Sequence, residues 1–229
     1  MLSYLKQHFY NPVCFNCGSL FVEPHLYCNS CFRTEIWPRM SLKCRTIQIE
    51  DIEVPHFYLF EWVPGESDLL SLMIYQLKSD RCVKALEFYS EKIFELLKEN
   101  IEETHMFNCV LPLPGSKKSS SHSNLLAQAL SRNLGLYCGS IFIKENIQLQ
   151  QKKLTWALRK NISVKIDTEK TRELFTTLGI SKPRPIYVDD VLTTGHTLKA
   201  SIKAFGPYDG GCVLTLFYRP TIGQLSQEL

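Results

Sequence analysis

Residues 185–205, PIYVDDVLTTGHTLKASIKAF, run from an apolar stretch into two adjacent carboxylates and then into a Thr-Thr-Gly turn. The unbroken apolar run ahead of Asp189 reads as a buried strand, the habit of a sheet covered on both faces. Beyond the turn, Leu198, Ile202 and Phe205 recur at helical spacing. A strand that passes directly into a helix, with polar residues at the junction, is the basic unit of an α/β sheet, and ligands bind such sheets off the carboxyl ends of strands. The string therefore places Asp189, Asp190 and the turn at a ligand-binding edge.

Working outward, strand and helix keep alternating. Leu69, Leu70, Met73, Ile74 and Leu77 share a helical face, and EFYSEKIFELLKEN continues helically to Asn100. FNCVLPLP is a short strand stopped by prolines, SNLLAQALSRNLGL an amphipathic helix ending near Gly135, and YCGSIFI another short strand. TEKTRELFTTLG is helical, and GCVLTLFYR closes the order with a strand. Residues 37–66 carry Pro38, Pro55 and Pro64 among short apolar stretches, which predicts a linker that becomes one or two strands. The fold expected is α/β with a mostly parallel sheet flanked by helices, over residues 46–229, behind a small cysteine-bearing domain over 1–45.

The turn has its own chemistry. Backbone N–H groups from Thr193 to Thr197 stand at a helix N-terminus, where the positive end of the helix dipole favours an anion. Gly195 lets the backbone come close, and the hydroxyls of Thr193, Thr194 and Thr197 add uncharged donors. Asp189 and Asp190 accept hydrogen bonds only, which suits a vicinal diol and repels a phosphate, so a sugar end lies beside a phosphate end. The plainer alternative is a strand with acidic residues followed by a helix capped by threonine.

Cys14-x-x-Cys17 and Cys28-x-x-Cys31 form two matched knuckles, with Gly18 after the second cysteine to permit the tight turn. Four thiolates close one tetrahedral zinc site and leave no open position, so the expected role is structural. His25 is read as a surface histidine rather than a ligand. Cys44, Cys82, Cys109, Cys138 and Cys212 are scattered among apolar neighbours and are read as core residues.

Composition adds bounds. The 229 residues, 45% hydrophobic and 21% charged, suffice for one ordinary domain with an appendage. A net charge of +3 neither demands nor excludes a polyanionic partner. No stretch reaches the roughly 18 apolar residues of a membrane helix, and MLSYLKQHFYNPVC lacks a signal-peptide core, so a soluble cytosolic chain is expected. A cytosolic setting also favours metal over disulfides for the paired cysteines.

The apolar strand, Asp-Asp, Thr-Thr-Gly and Thr together resemble the ribose-phosphate signature of type I phosphoribosyltransferases. That resemblance implies that Asp189 and Asp190 hold ribose hydroxyls, and that Thr193, Thr194, Gly195, His196 and Thr197 hold the 5-phosphate, His196 through its backbone. With the cysteine knuckle in front, nearly the whole chain resembles the ComF family of competence proteins, through LKSD at 77–80, VLPLPGSKK, NLLAQALSRNLGL and QLQQKKLTWALRKN as well. The family likeness implies that Gly115, Ser116, Lys117 and Lys118 face the pyrophosphate side of phosphoribosyl diphosphate, bound with Mg²⁺. An ordinary solvated loop is the alternative for the two lysines. Where ComF proteins carry an Arg-Gly-Phe-Asn-like segment, this chain has SSSHSN at 119–124.

Membership of this kind implies a part in natural transformation: import and handling of single-stranded DNA on the cytosolic side of the inner membrane, with competence or recombination proteins as partners. Lys144, Lys152, Lys153, Arg159, Lys160, Lys165, Lys170 and Arg172, with Trp156 among them, offer a basic and aromatic tract for single strands. A mixed-charge solvated surface is the competing reading. Arg33, Arg39, Lys43 and Arg45 beside the knuckle are further candidates for DNA. The alternative activity is a working phosphoribosyltransferase that joins a nucleobase or related acceptor to ribose 5-phosphate. No motif for an acceptor is present in the sequence, so turnover is left open.

Overall fold

The computed structural model describes residues 13–20, 24–49, 51–65, 68–78, 83–100, 106–115, 122–145, 163–206 and 210–220. Its strands are β1 (Lys43–Ile49), β2 (Ile52–Glu61), β3 (Cys109–Pro112), β4 (Tyr137–Cys138), β5 (Phe142–Lys144), β6 (Val164–Ile166), β7 (Pro185–Leu192) and β8 (Cys212–Tyr218). Six of them form one sheet in the order β1-β2-β8-β7-β3-β4. Strands β2, β8, β7, β3 and β4 are parallel, while β1 runs antiparallel to β2 at the edge. The remaining two, β5 and β6, make a small antiparallel ribbon. Short helical turns cover Asn29–Cys31, Phe32–Ile36 and Trp37–Arg39, and the longer helices among the described residues are α1 (Asp68–Leu77), α2 (Val83–Asn100), α3 (His122–Leu134), α4 (Thr168–Leu178) and α5 (His196–Phe205). An α/β fold with a mostly parallel sheet is thus what the alternation of elements produces.

The period-two geometry of a strand divides the core into two layers. Val110, Ile186, Val188, Cys212, Leu214 and Leu216 pack with the apolar faces of α1, α2 and α3. Their strand neighbours Cys109, Leu111, Tyr187 and Val213 point the other way, against Leu174 of α4 and Leu198, Ile202 and Phe205 of α5. With both faces covered, β7 keeps no polar residue before Asp189, as the run PIYV foretells. Local signals set the helix ends. The Asp167 carboxylate accepts the backbone N–H groups of Glu169 and Lys170 at the start of α4, and Gly179, at φ 63°, closes it in a left-handed turn.

The N-terminal segment docks on the first of these layers. Cys14, Tyr27, Cys31, Phe32 and Ile36 belong to the same buried cluster as α1 and α2. The Tyr27 hydroxyl donates to the Leu69 carbonyl at 2.9 Å, and the Tyr89 hydroxyl to the His25 carbonyl at 3.0 Å. Within residues 37–66, β1 and β2 pair antiparallel and join the main sheet through β8, with β1 running across the expected division between 45 and 46.

Three expectations need correction. The stretch YCGSIFI is two strands in two sheets: the Gly139 N–H still bonds to the Val110 carbonyl of the main sheet, and the Ile141 N–H then closes a tight turn on the Gly139 carbonyl before β5 begins. Cys44 is exposed, since it lies on the solvent side of an edge strand, whereas Cys109 and Cys212 are buried and Cys138 is half-buried. Cys82 lies outside the described residues. His25 is only 4% exposed, its ring stacked on Phe32 at 3.8 Å between centroids, so it is a core residue of the knuckle and not a surface one. Among the described residues no helix is long and apolar enough to cross a membrane.

Candidate functional site

Two clusters of chemistry-bearing residues emerge, and the first is the knuckle. The Sγ atoms of Cys14, Cys17, Cys28 and Cys31 all lie within 4.8 Å of one another. Tetrahedral zinc with bonds of about 2.3 Å places its sulfurs roughly 3.8 Å apart, and Cys17 and Cys28 stand at 3.6 Å. The turn is built as the glycine predicts: Gly18 takes φ 73°, its N–H bonds to the Cys14 carbonyl, and the Cys14 N–H bonds to the Ser19 carbonyl. Burial opposes the Cys14 thiolate, yet hydrogen bonds from the backbone at Cys28, Cys17 and Asn16 outweigh it and bring the thiol down to about 6. Burial and the neighbouring thiols push Cys31 up to about 12. Four sulfurs this close ionise together only around a cation, and a soft four-thiolate set of this size fits zinc.

The second cluster lies at the carboxyl end of β7, a central strand between β8 and β3. Asp189 faces Thr215 of β8 in register, and Thr215 is bonded to the buried His56, Nε2 to Oγ1 at 2.8 Å. Burial, with Arg45 nearby, holds His56 down at about 3, so its ring is neutral. Asp189 Oδ1 accepts the Asp190 N–H and Asp190 Oδ1 accepts the Val191 N–H, each at 2.9 Å, which fixes both carboxylates against their own strand. Both acids are half-buried. Loss of water and then the Asp190 charge raise the Asp189 carboxyl well above the usual carboxylate range, against the pull of the Asp190 backbone and Lys78.

Helix α5 opens immediately beyond. Thr193 and Thr194 are exposed, Gly195 sits at the N-cap with φ 68°, and no side chain caps the helix. Capping by threonine, the plain role for this sequence, is therefore not what the turn does. A Cβ added to Gly195 would meet nothing within 4 Å, so the backbone there is open to approach. His196 and Thr197 are half-buried in the first helical turn.

Cations gather around the acid pair. Lys78, just past α1, brings Nζ to 3.9 Å from Asp190 Oδ2 while staying half-exposed. Lys144, at the end of β5, is half-buried; burial lowers its ammonium pKa and the Asp189 charge partly restores it. Sequence reasoning placed Lys144 in the basic tract instead, because only the fold brings β5 to β7. The strand β3 ends alongside, with the Leu113 N–H on the Val188 carbonyl at 2.8 Å, so Gly115 leaves at the same edge as the acids. Ser116, Lys117 and Lys118 lie outside the described residues.

Some of the residues expected to meet DNA lie among the described ones. Lys165 is paired with Glu145 and Lys170 with Asp167, and Arg172 is exposed on α4. Lys152, Lys153, Trp156, Arg159 and Lys160 lie outside the described residues. Near the knuckle, Lys43 pairs with Glu61 at 3.0 Å, and Arg45 bonds the Tyr218 hydroxyl and covers its ring. No family model matches this chain, and no curated protein matches it.

Proposed function

We propose that this chain is a ComF-type competence protein with a type I phosphoribosyltransferase-like site that binds phosphoribosyl diphosphate. The observation that carries the reading is the junction of β7 and α5: an acid pair ends a central parallel strand, and an uncapped helix opens beside it on a left-handed glycine. In this reading Asp189 and Asp190 accept hydrogen bonds from the ribose hydroxyls. The backbone N–H groups at 194–197 and the hydroxyls of Thr193, Thr194 and Thr197 donate to the 5-phosphate. Lys78 exchanges Asp190 for a diphosphate oxygen when ligand enters.

The hard carboxylate oxygens of the pair, where burial and then the neighbouring charge raise the Asp189 carboxyl, suit Mg²⁺. Bound with the ligand, the ion would neutralise diphosphate charge. The knuckle holds structural zinc and braces α1 and α2 through Tyr27 and His25. Handling of single-stranded DNA during natural transformation, on the cytosolic side of the inner membrane, follows from the ComF resemblance of knuckle and loop in one chain.

Calorimetric titration with phosphoribosyl diphosphate and Mg²⁺ tests the site, beside a variant carrying Asp189→Asn and Asp190→Asn. Saturable binding that the variant abolishes while staying folded is expected. Equal binding by both proteins refutes the site. Release of pyrophosphate with any member of a nucleobase panel would favour the transferase over the binding protein.

A further inference from the structure

The knuckle and α2 enclose an open cleft of about 780 Å³, separate from the ribose-phosphate residues. Its floor is a single aromatic cluster. His25 stacks on Phe32, and Phe88 meets the two rings edge-on at 5.2 and 5.6 Å. Trp37 approaches Phe32 edge-on at 6.1 Å yet remains 53% exposed, an apolar wall turned partly to water. Two cations line the cleft, and they differ. Lys92 is neutralised by Glu95 at 2.6 Å, whereas Arg33 is exposed and forms no ion pair among the described residues.

This volume falls within the range of about 300–1,000 Å³ found for recognition pockets. Aromatic residues and arginine, with an exposed tryptophan at the rim, are the composition of an interface centre rather than of ordinary surface. The charge pattern chooses between ligand classes. A single-stranded nucleic acid needs a row of cations that follows its phosphates, and the lining supplies one uncompensated cation. One guanidinium beside an apolar floor fits instead an apolar side chain with a carboxylate near it.

We propose that this cleft docks an acidic peptide segment of a partner protein, seating an aromatic or leucine side chain on the His25, Phe32 and Phe88 floor and a carboxylate on Arg33. Trp37 closes over the anchor. The knuckle holds one wall and α2 the other, tied together where the Tyr89 hydroxyl donates to the His25 carbonyl, so the cleft has its shape before the peptide arrives.

Fluorescence anisotropy tests this with the full zinc-loaded chain. The probe is a labelled, end-blocked peptide with Phe and Leu anchors between aspartates; the comparison peptides replace the anchors with alanine or the aspartates with lysine. Saturable binding is expected for the first peptide, weakened at least about tenfold by Trp37→Ala and by Arg33→Glu, with Arg33→Glu shifting preference to the lysine peptide. Neither variant should alter the phosphoribosyl diphosphate titration, so the result stands apart from the ribose-phosphate reading. Absence of binding at about 1 mM peptide, the weak end of specific recognition, would overturn the proposal. Equal binding by both variants would do the same, as would tight capture of oligothymidylate that Trp37→Ala abolishes, which would give the cleft to nucleic acid.

Discussion

Replacing Gly195 with alanine separates the structural from the chemical role of the turn. The residue holds φ 68°, where an L side chain costs about 1–2 kcal/mol. Stiffening of the unfolded chain offsets about 0.4–1 kcal/mol of that. The new Cβ meets no atom within 4 Å, so no repacking is added. A net loss of about 1 kcal/mol follows, which lowers the melting temperature of a chain this size by about 2–4 °C. Gly179 supplies the matched control, since it has φ 63° and equally open space but closes α4 away from the acid pair. Differential scanning calorimetry should give the two alanine variants similar losses. Titration with phosphoribosyl diphosphate and Mg²⁺ should then divide them: Gly195→Ala weakens binding at least about tenfold, by about 1.4 kcal/mol, because its methyl group stands where the phosphate approaches the backbone. Gly179→Ala leaves affinity intact. Equal affinity in the two variants would refute the phosphate cradle.

Asp189→Asn should flatten a pH dependence. The folded carboxyl is raised, so the unfolded chain, ionising near about 4, holds fewer protons and stability falls as pH climbs from there through the folded value. Urea midpoints across that range should slope downward in the native protein, and the variant should lose the slope along with ligand binding. Lys78→Met removes a half-exposed ion pair, a loss of less than about 1 kcal/mol in stability. Its affinity should fall for phosphoribosyl diphosphate but hold for ribose 5-phosphate, as paired titrations would read. Cys17→Ser, or chelation of the metal, frees the buried Tyr27, Phe32 and Ile36 from the α1 and α2 layer. At about 1.5–3 kcal/mol for each large side chain, melting should shift by many degrees, and metal analysis should show zinc lost in step.

Much of the fold was legible because single physical rules governed it. Burial on both faces makes a central parallel strand continuously apolar, which marked β7, and helical spacing marked α1, α2 and α5. Paired cysteines at matched spacing announced their cluster. The failures share a cause: they depend on contacts distant in sequence. His25 looks like surface because its polarity says so, and only stacking between Phe32 and Phe88 buries it. Cys44 looks like core because a free cysteine is usually buried, yet Lys43 and Arg45 flank it and it sits on an edge strand. Lys78 lies in the LKSD segment, yet its place beside Asp190 comes only from the packing of α1, and Lys144 reaches Asp189 through the packing of β5, which no local pattern encodes.

The most direct test of the ribose-phosphate site is a crystal structure of the full chain grown with phosphoribosyl diphosphate and Mg²⁺. The account predicts the 5-phosphate on the backbone N–H groups at 194–197, the ribose hydroxyls on Asp189 and Asp190, and Lys78 moved from Asp190 to the diphosphate. Ligand density elsewhere on the protein, with the β7–α5 junction unchanged, would contradict it.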